Sequence, residues 1–287
     1  MAAVLITGAT GKQGGSLIKN LVSRNSPFEI LAVTRNKASG SAQRLSRLSP
    51  NIRLVEGNLN DPAGIFKNAR SLTKNLIWGV FSVQVAIGNS ASEEPQGKAL
   101  VDESLKQDVK FFIYSSVDRG ANSFENPTKV PHFINKHNIE HYLVEKTKNT
   151  EVQWTILRPT AFYENLVPGF FGKVFMTSFD MALKGKPLQL VATSDIGYFA
   201  ADAFLKPEAK QVFEANTGQS VPRTFRFLCS MFMASMKDMG YMFKWFHDEG
   251  YKANISELKK VHPGLKDFAE WLKTESASLD VAVCEVV

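Results

Sequence analysis

The stretch Ala2-Ala3-Val4-Leu5-Ile6-Thr7-Gly8-Ala9-Thr10-Gly11-Lys12-Gln13-Gly14-Gly15 decides the fold. Ala2–Thr7 reads as a buried strand. Gly8, Gly11 and Gly14 follow at the spacing G-x-x-G-x-x-G, and Gly14–Arg24 then has helical periodicity, with Leu17, Ile18 and Leu21 on one face. A strand, a glycine turn and a helix N-terminus in that order form a dinucleotide-phosphate cradle. Gly8 permits the tight turn, Gly11 lets the backbone approach a pyrophosphate, and Gly14 lets the helix pack on the strand. The free N–H groups and positive dipole end of the helix would face the phosphates.

Outward from this unit, strands alternate with helices. Strands are expected at Ile30–Thr34, Ile52–Glu56, Ile77–Val83, Phe111–Ser115 and Gln153–Leu157. Helices are expected at Ala42–Leu48, Asp61–Ala69, Ser92–Gln107 and, opened by Pro131, from His132 to about Lys146. This alternation predicts an α/β fold: a doubly wound, parallel Rossmann sheet over residues 1–157. After Pro159, Gly and Pro punctuate more often and Met and Phe become dense. Residues 158–287 are expected to form a smaller, mainly helical lobe, with late strands near Leu188–Val191 and Gln211–Glu214 returning to the sheet.

The end of the second strand reads Val33-Thr34-Arg35-Asn36-Lys37. NAD enzymes usually place Asp or Glu there for the ribose hydroxyls. Glu29, at the strand's beginning, is the nearest acid, so Arg35 is expected to clamp a 2′-phosphate and the cofactor to be NADP(H). Of 34 basic residues, eight (Lys12, Lys19, Arg24, Arg35, Lys37, Arg44, Arg47, Arg53) fall before residue 56 against one acid, Glu29. That asymmetry suits a phosphate-bearing ligand. No nucleic-acid-binding signature accompanies it, so direct nucleic-acid binding is not expected.

The chain has 287 residues with ordinary globular composition, 44% hydrophobic and 22% charged, which excludes a disordered chain. Two cysteines, Cys229 and Cys284, argue against a disulfide framework. No apolar run approaches the ~20 residues a membrane span needs. No signal-peptide pattern opens the sequence, so a cytoplasmic or nuclear location is expected. His137-Asn138-Ile139-Glu140-His141 matches a zinc-protease pattern, yet it lies on the helix the cofactor reading uses, and no metal is expected.

TGATGKQGG at 7–15, TRN at 34–36, YSSVDRG at 114–120, LRPTAFYENL at 157–166, MFKWFHDEGY at 242–251 and HPGLKDFAEWL at 262–272 together resemble the NmrA-like group. These are atypical members of the short-chain dehydrogenase/reductase superfamily, and the style of the last segments is similar to fungal members. The resemblance implies an NADP(H)-binding Rossmann domain, a small C-terminal lobe and a cleft between them. It assigns Gly8, Thr10, Gly11, Lys12, Gln13 and Gly14 to the pyrophosphate loop, and Arg35 with Asn36 to the 2′-phosphate. Asn58 and Leu59 would lie by the adenine, and Val83 and Gln84 along the ribose. Ser115 and Lys136 would meet the nicotinamide ribose, and Phe162 to Asn165 the nicotinamide. Gly218–Lys244 looks shorter than in co-regulator members, which sense nicotinamide cofactors and act through protein partners.

Typical members of the superfamily use Tyr-x-x-x-Lys with a Ser on an earlier strand. Here the aligned stretch is His132-Phe133-Ile134-Asn135-Lys136, with Ser115 and Ser116 where the serine belongs. The catalytic candidates are therefore Lys136, Ser116, and either His132 or Tyr163 as proton donor, histidine being a competent acid near neutrality. The expected activity is NADPH-dependent reduction of a hydrophobic carbonyl, enone or quinone. The alternative is a non-catalytic redox sensor that acts through a regulatory protein. Phe162, Tyr163, Phe170, Phe171, Met176 and Phe179, with Met231, Phe232, Met233, Met236, Met239 and Met242, could line an apolar cleft, pack as core or cover a homodimer face.

Overall fold

The computed structural model describes residues 1–86, 90–166, 169–206 and 237–275. Six strands form one parallel sheet: β1 (Ala2–Ile6), β2 (Phe28–Thr34), β3 (Ile52–Glu56), β4 (Ile77–Ser82), β5 (Phe111–Ser115) and β6 (Gln153–Leu157). Their spatial order is β3-β2-β1-β4-β5-β6, the doubly wound order, with the switch point between β1 and β4. The strands read as near-continuous apolar runs because both faces are covered. Every residue of β2 and β5 is buried.

Between the strands run α1 (Lys12–Ser23), α2 (Gly40–Ser46), α3 (Pro62–Leu72), α4 (Ser90–Lys106) and α5 (Pro131–Thr147). Local signals set their starts. Ser39 caps α2 by accepting from the Ala42 N–H, and Asp61 caps α3 by accepting from Gly64, with Pro62 at the first helical position. α1 buries Gly14, Leu17, Ile18 and Leu21, the face expected from its periodicity.

The chain divides into two compact units. The first is Met1–Ser116, Asn135–Arg158 and Ile196–Val212; the second is Val117–Ile134, Pro159–Asp195 and Phe213–Val287. The units therefore interleave along the chain. The reason lies in α7 (Thr193–Leu205), most of which packs in the first unit. There Gly197 lies so close to α1 that a Cβ would come within 2.5 Å of the Ser16 backbone. Phe204 stacks edge-on against Phe28 and Phe111 and tilts over Trp78.

In the second unit, β7 (Ala161–Phe162) pairs in parallel with β8 (Leu190–Val191), forming a separate two-stranded sheet. The strand expected at Leu188–Val191 is thus shorter and does not return to the main sheet. The other late strand, Gln211–Glu214, lies outside the described residues. This unit also holds a 3-10 turn (Tyr163–Asn165), α6 (Phe170–Leu183), α8 (Lys237–Asp248), α9 (Ile255–Val261) and α10 (Phe268–Thr274). α6 and α8 share an aromatic core in which Phe179 meets Phe175, Phe243 and Phe246.

Two predictions follow from these contacts. A Cβ at Gly14 would stand 2.4 Å from the Gly8 carbonyl oxygen, a backbone atom that cannot step aside. Gly14→Ala is expected to cost about 1–3 kcal/mol in urea unfolding; an unchanged midpoint would show that the turn has slack. Glu29, on β2, accepts from Thr73, from Asn75 at 2.8 Å and from Arg53 at 3.2 Å. Burial opposes its ionisation, but these donors outweigh burial and hold its pKa below the usual 4.5. A lowered carboxylate pKa stabilises the fold above the unfolded-state value, and that stability is lost as pH falls through the folded value. Glu29→Gln should be less stable than wild type by about 1–2 kcal/mol near pH 7. The gap in melting temperature should close below pH 4.5, and a constant gap across pH would refute it.

Candidate cofactor and active site

The first unit gathers its candidates at the carboxyl ends of its parallel strands, where open α/β sheets bind ligands. After β1, Gly8 adopts φ +57°, a left-handed conformation, and a Cβ there would lie 2.7 Å from Val83. Gly11 caps α1 and its N–H closes the turn onto the Gly8 carbonyl at 2.9 Å. Among the described residues no side chain caps α1 at Gly11, and a helix N-terminus of this kind suits an anion. Thr10, Gly11 and Lys12 are exposed, and Gly14 is buried. Buried Thr7 ties this loop to the end of β4: the Val83 N–H donates to its hydroxyl at 2.9 Å.

Arg35 and Asn36 are exposed beyond β2, and Arg35 has no ion-pair partner among the described residues. Asn36 accepts from the Ala38 N–H at 2.8 Å, which shapes the turn. Glu29 is committed at the opposite end of the same strand, as described above. Asn58 is exposed and Leu59 half-buried after β3. After β4, Gln84 is buried and donates through Nε2 to Ser82 at 2.9 Å, while its Oε1 has no partner among the described residues.

After β5, Ser115 is buried and donates through its hydroxyl to Gln13 Oε1 at 2.5 Å. This bond links the β5 end to the first turn of α1. Ser116 is also buried. Lys136, on α5, is buried with its Nζ 3.0 Å from Glu93 Oε1 on α4 and 3.4 Å from the Ser115 carbonyl. Glu93 itself is fully buried, and Asn135 Nδ2 approaches its other oxygen at 3.4 Å. Sequence reasoning missed Glu93. No local pattern marks it, because its partners lie on another helix.

The remaining candidates belong to the second unit. His132, also buried, places Nδ1 2.7 Å from Asp238 Oδ1, and its backbone N–H points to the same oxygen at 3.4 Å. A carboxylate only accepts, so Nδ1 carries the proton and Nε2 is the nitrogen left for other chemistry. Asp238 was likewise missed by sequence, being placed beside His132 only by α8. Phe162 and Asn165 are half-buried on β7 and the 3-10 turn.

Tyr163 is fully buried and stacks on both Phe268 and Trp271, and its hydroxyl has no partner among the described residues. Burial, then the charges of Asp267, Asp195 and Glu164, push its pKa far above the usual phenol value. A proton donor must touch the reacting group, and the Tyr163 hydroxyl is buried among the described residues. Of the readings offered for the apolar residues, Phe179, Met239 and Met242 take the core one, while Phe170 is exposed. Met231, Phe232, Met233 and Met236 lie outside the described residues, as do Cys229 and Cys284, and nothing is described of the Phe171 side chain. A cavity of about 600 Å³ in this unit is open and polar, lined among others by Arg119, Asn122, Glu125, Asp248 and Lys252.

Glu140 of the H-x-x-E-H stretch is fully buried and holds Arg158 through both carboxylate oxygens, at 2.8 and 3.1 Å. Among the described residues, no three His, Cys, Asp or Glu gather as a metal site. Among them, too, no helix is long and apolar enough to cross a membrane.

Comparison with known proteins bears on the whole arrangement. The NmrA-like family domain-containing oxidoreductase ptmS of Penicillium ochrochloron is 28% identical over 184 residues, covering 60% of this chain and 48% of that protein. The NmrA-like family domain-containing oxidoreductase hkm9 of Aspergillus hancockii is 28% identical over 167 residues, 56% of this chain and 46% of that protein. The chain thus spans about half the length of the curated relatives it matches. Among solved structures, Citrobacter sp. triphenylmethane reductase complexed with NADP(H) superposes with a TM-score of 0.67 at 15% identity, over 95% of this chain and 99% of that one. The NADPH-dependent quinone oxidoreductase QOR2 from Escherichia coli gives 0.65 at 18% identity, over 95% and 98%. At these identities the likeness establishes the Rossmann-type fold. The model of the NmrA-like family matches residues 2–214, three-quarters of the sequence, and with the glycine loop and sheet order already in place the chain belongs to the NmrA-like family.

Proposed function

We propose that this protein binds NADP(H) and reduces a hydrophobic carbonyl, enone or quinone with NADPH. The observation that carries the reading is Arg35: an exposed guanidinium without a carboxylate partner among the described residues, beyond a β2 strand whose only acid is occupied at the other end. Such an arginine can hold a 2′-phosphate by paired hydrogen bonds, whereas an NAD site needs a carboxylate in that place.

The rest of the first unit fits the cofactor. The cradle around Gly8 and Gly14 is one that a Cβ would fill, and the positive end of the α1 dipole favours a phosphate beside it. The orphaned Gln84 Oε1 can accept from a ribose hydroxyl, and the Lys136 ammonium can donate to one. The relatives support the reading: ptmS and hkm9 are named as oxidoreductases, and the superposed reductases are named for NADP(H) and for quinone.

Bound NADPH supplies the hydride. The protein's own task is then to orient the partners and deliver a proton. His132 is the proposed donor. Asp238 Oδ1 lies 2.7 Å from Nδ1 and holds the ring in place, so that Nε2 is the nitrogen proposed to face the substrate oxygen. Enones and quinones spread the charge they gain, so a histidine suffices where a simple carbonyl would demand more. Lys136 holds the ribose, and Ser116 stands at the end of β5 beside it in sequence order with Ser115, whose hydroxyl is taken by Gln13.

A second reading, a non-catalytic NADP(H) sensor that signals to a regulatory protein, draws on the missing tyrosine of the Tyr-x-x-x-Lys pattern and on the burial of Tyr163. NADPH oxidation against a panel of quinones, enones and aromatic aldehydes separates the two. Steady turnover is expected, and His132→Phe should reduce kcat at least about 100-fold with little change in NADPH affinity. Undiminished turnover would remove His132 from the mechanism, and tight binding without turnover on any panel member would favour the sensor. Arg35→Ala should weaken NADPH by about 10-fold or more and leave NADH nearly unchanged. If the preference for NADPH survives, the 2′-phosphate assignment is wrong.

A further inference from the structure

A lysine that anchors a cofactor is usually free to reach it, but here Lys136 is buried and already faces a fully buried carboxylate at 3.0 Å. We infer that Glu93 is a positioning residue: it sets the place and the positive charge of Lys136, and through it the affinity for the cofactor. The inference rests on the reading of Lys136 as the ribose anchor and adds the residue that makes this anchor work.

Three contacts define the arrangement. Glu93 Oε1 meets the ammonium as an ion pair rather than as an aligned hydrogen bond. Asn135 Nδ2 approaches Oε2, so the carboxylate is braced by the residue next to the lysine. The Ser115 carbonyl accepts from Lys136 Nζ at 3.4 Å, and the Tyr114 ring lies 5.8 Å from it. The ammonium is thereby held at the carboxyl end of β5, and its Ser115 neighbour is tied to Gln13 in the glycine loop.

The charge matters as much as the place. A buried ammonium without a countercharge sheds its proton readily, because burial penalises the charged form. Neighbouring charges on α4 and α5 have partners among the described residues. On α5, one turn beyond, Glu140 is bound to Arg158, and one turn before, His132 is bound to Asp238. On α4, the adjacent Glu94 pairs with Lys98 and accepts from Asn138. Tyr114 of β5 offers only its ring face and a buried hydroxyl. Glu93 is therefore the one carboxylate seated on the Lys136 ammonium among the described residues, and it holds that donor in place for the ribose.

The test measures NADPH affinity of wild type, Lys136→Ala, Glu93→Gln and Glu93→Leu across about pH 6 to pH 9.5, with NADPH binding read by fluorescence. Wild type should bind with little pH dependence, and Lys136→Ala should weaken binding about 10-fold at every pH. Glu93→Gln is nearly isosteric and should bind close to wild type at the acid end, then fall about 10-fold or more behind as pH rises. A merely structural glutamate would lower stability without adding this alkaline loss. If Glu93→Gln tracks wild type at every pH while Lys136→Ala is weakened, the inference is overturned and the lysine assignment stands. If Lys136→Ala binds as tightly as wild type, the ribose-anchor reading fails and takes this inference with it. Should the single Glu93 variants not fold, thermal melts decide. The double variant Glu93→Leu/Lys136→Met should melt above Lys136→Met alone, since the single change strands a buried carboxylate; an equal or lower melting temperature would show that the two groups are not coupled.

Discussion

The approach of Gly14 to the Gly8 carbonyl is the constraint on which the rest depends. With no side chain at Gly14, the first turn of α1 comes to rest directly on the turn that ends β1. That contact aims the N-terminus of α1 at the carboxyl edge of the sheet, beside the switch point between β1 and β4. Thr7 and Gln13 then extend the same geometry sideways. Thr7 binds the end of β4, and Gln13 binds Ser115 at the end of β5. A shift of α1 would therefore be felt at three strand ends.

A second theme is how the protein handles charge where water is scarce. Lys136 faces Glu93, His132 faces Asp238, and Arg158 faces Glu140, each pair largely buried. Breaking such a pair is costly because the surviving charge loses both water and partner. Two of the pairs involve groups proposed for function, and in both the acid comes from a different helix than the functional side chain. Exposed Arg35 is the contrast. It is kept in water and without an acid, as suits a group whose partner is a ligand phosphate.

The fold was legible because its signals are local. β3, β5 and β6 begin and end where hydrophobic runs and punctuation place them, and Pro131 and Pro62 open helices as proline in the first turn should. The phosphate loop and the absent acid after β2 were legible for the same reason. What sequence could not place depends on contacts between distant segments. Glu93 and Asp238 gain their roles only when α4 and α8 pack. Tyr163 reads in sequence as a candidate proton donor but is stacked on Trp271, more than a hundred residues away. Leu190–Val191 has the look of a strand bound for the main sheet, yet its partner is a two-residue strand just after β6. The return of α7 to the first unit turns on Gly197, whose lack of a side chain carries no meaning until α1 is beside it.

The most direct test of the central claim is equilibrium binding of NADPH and of NADH to the wild-type protein, measured side by side by calorimetry. The account predicts one NADPH per chain, bound about 10-fold or more tightly than NADH because only NADPH offers Arg35 a phosphate. Equal affinities, or no binding of either nucleotide, would contradict it.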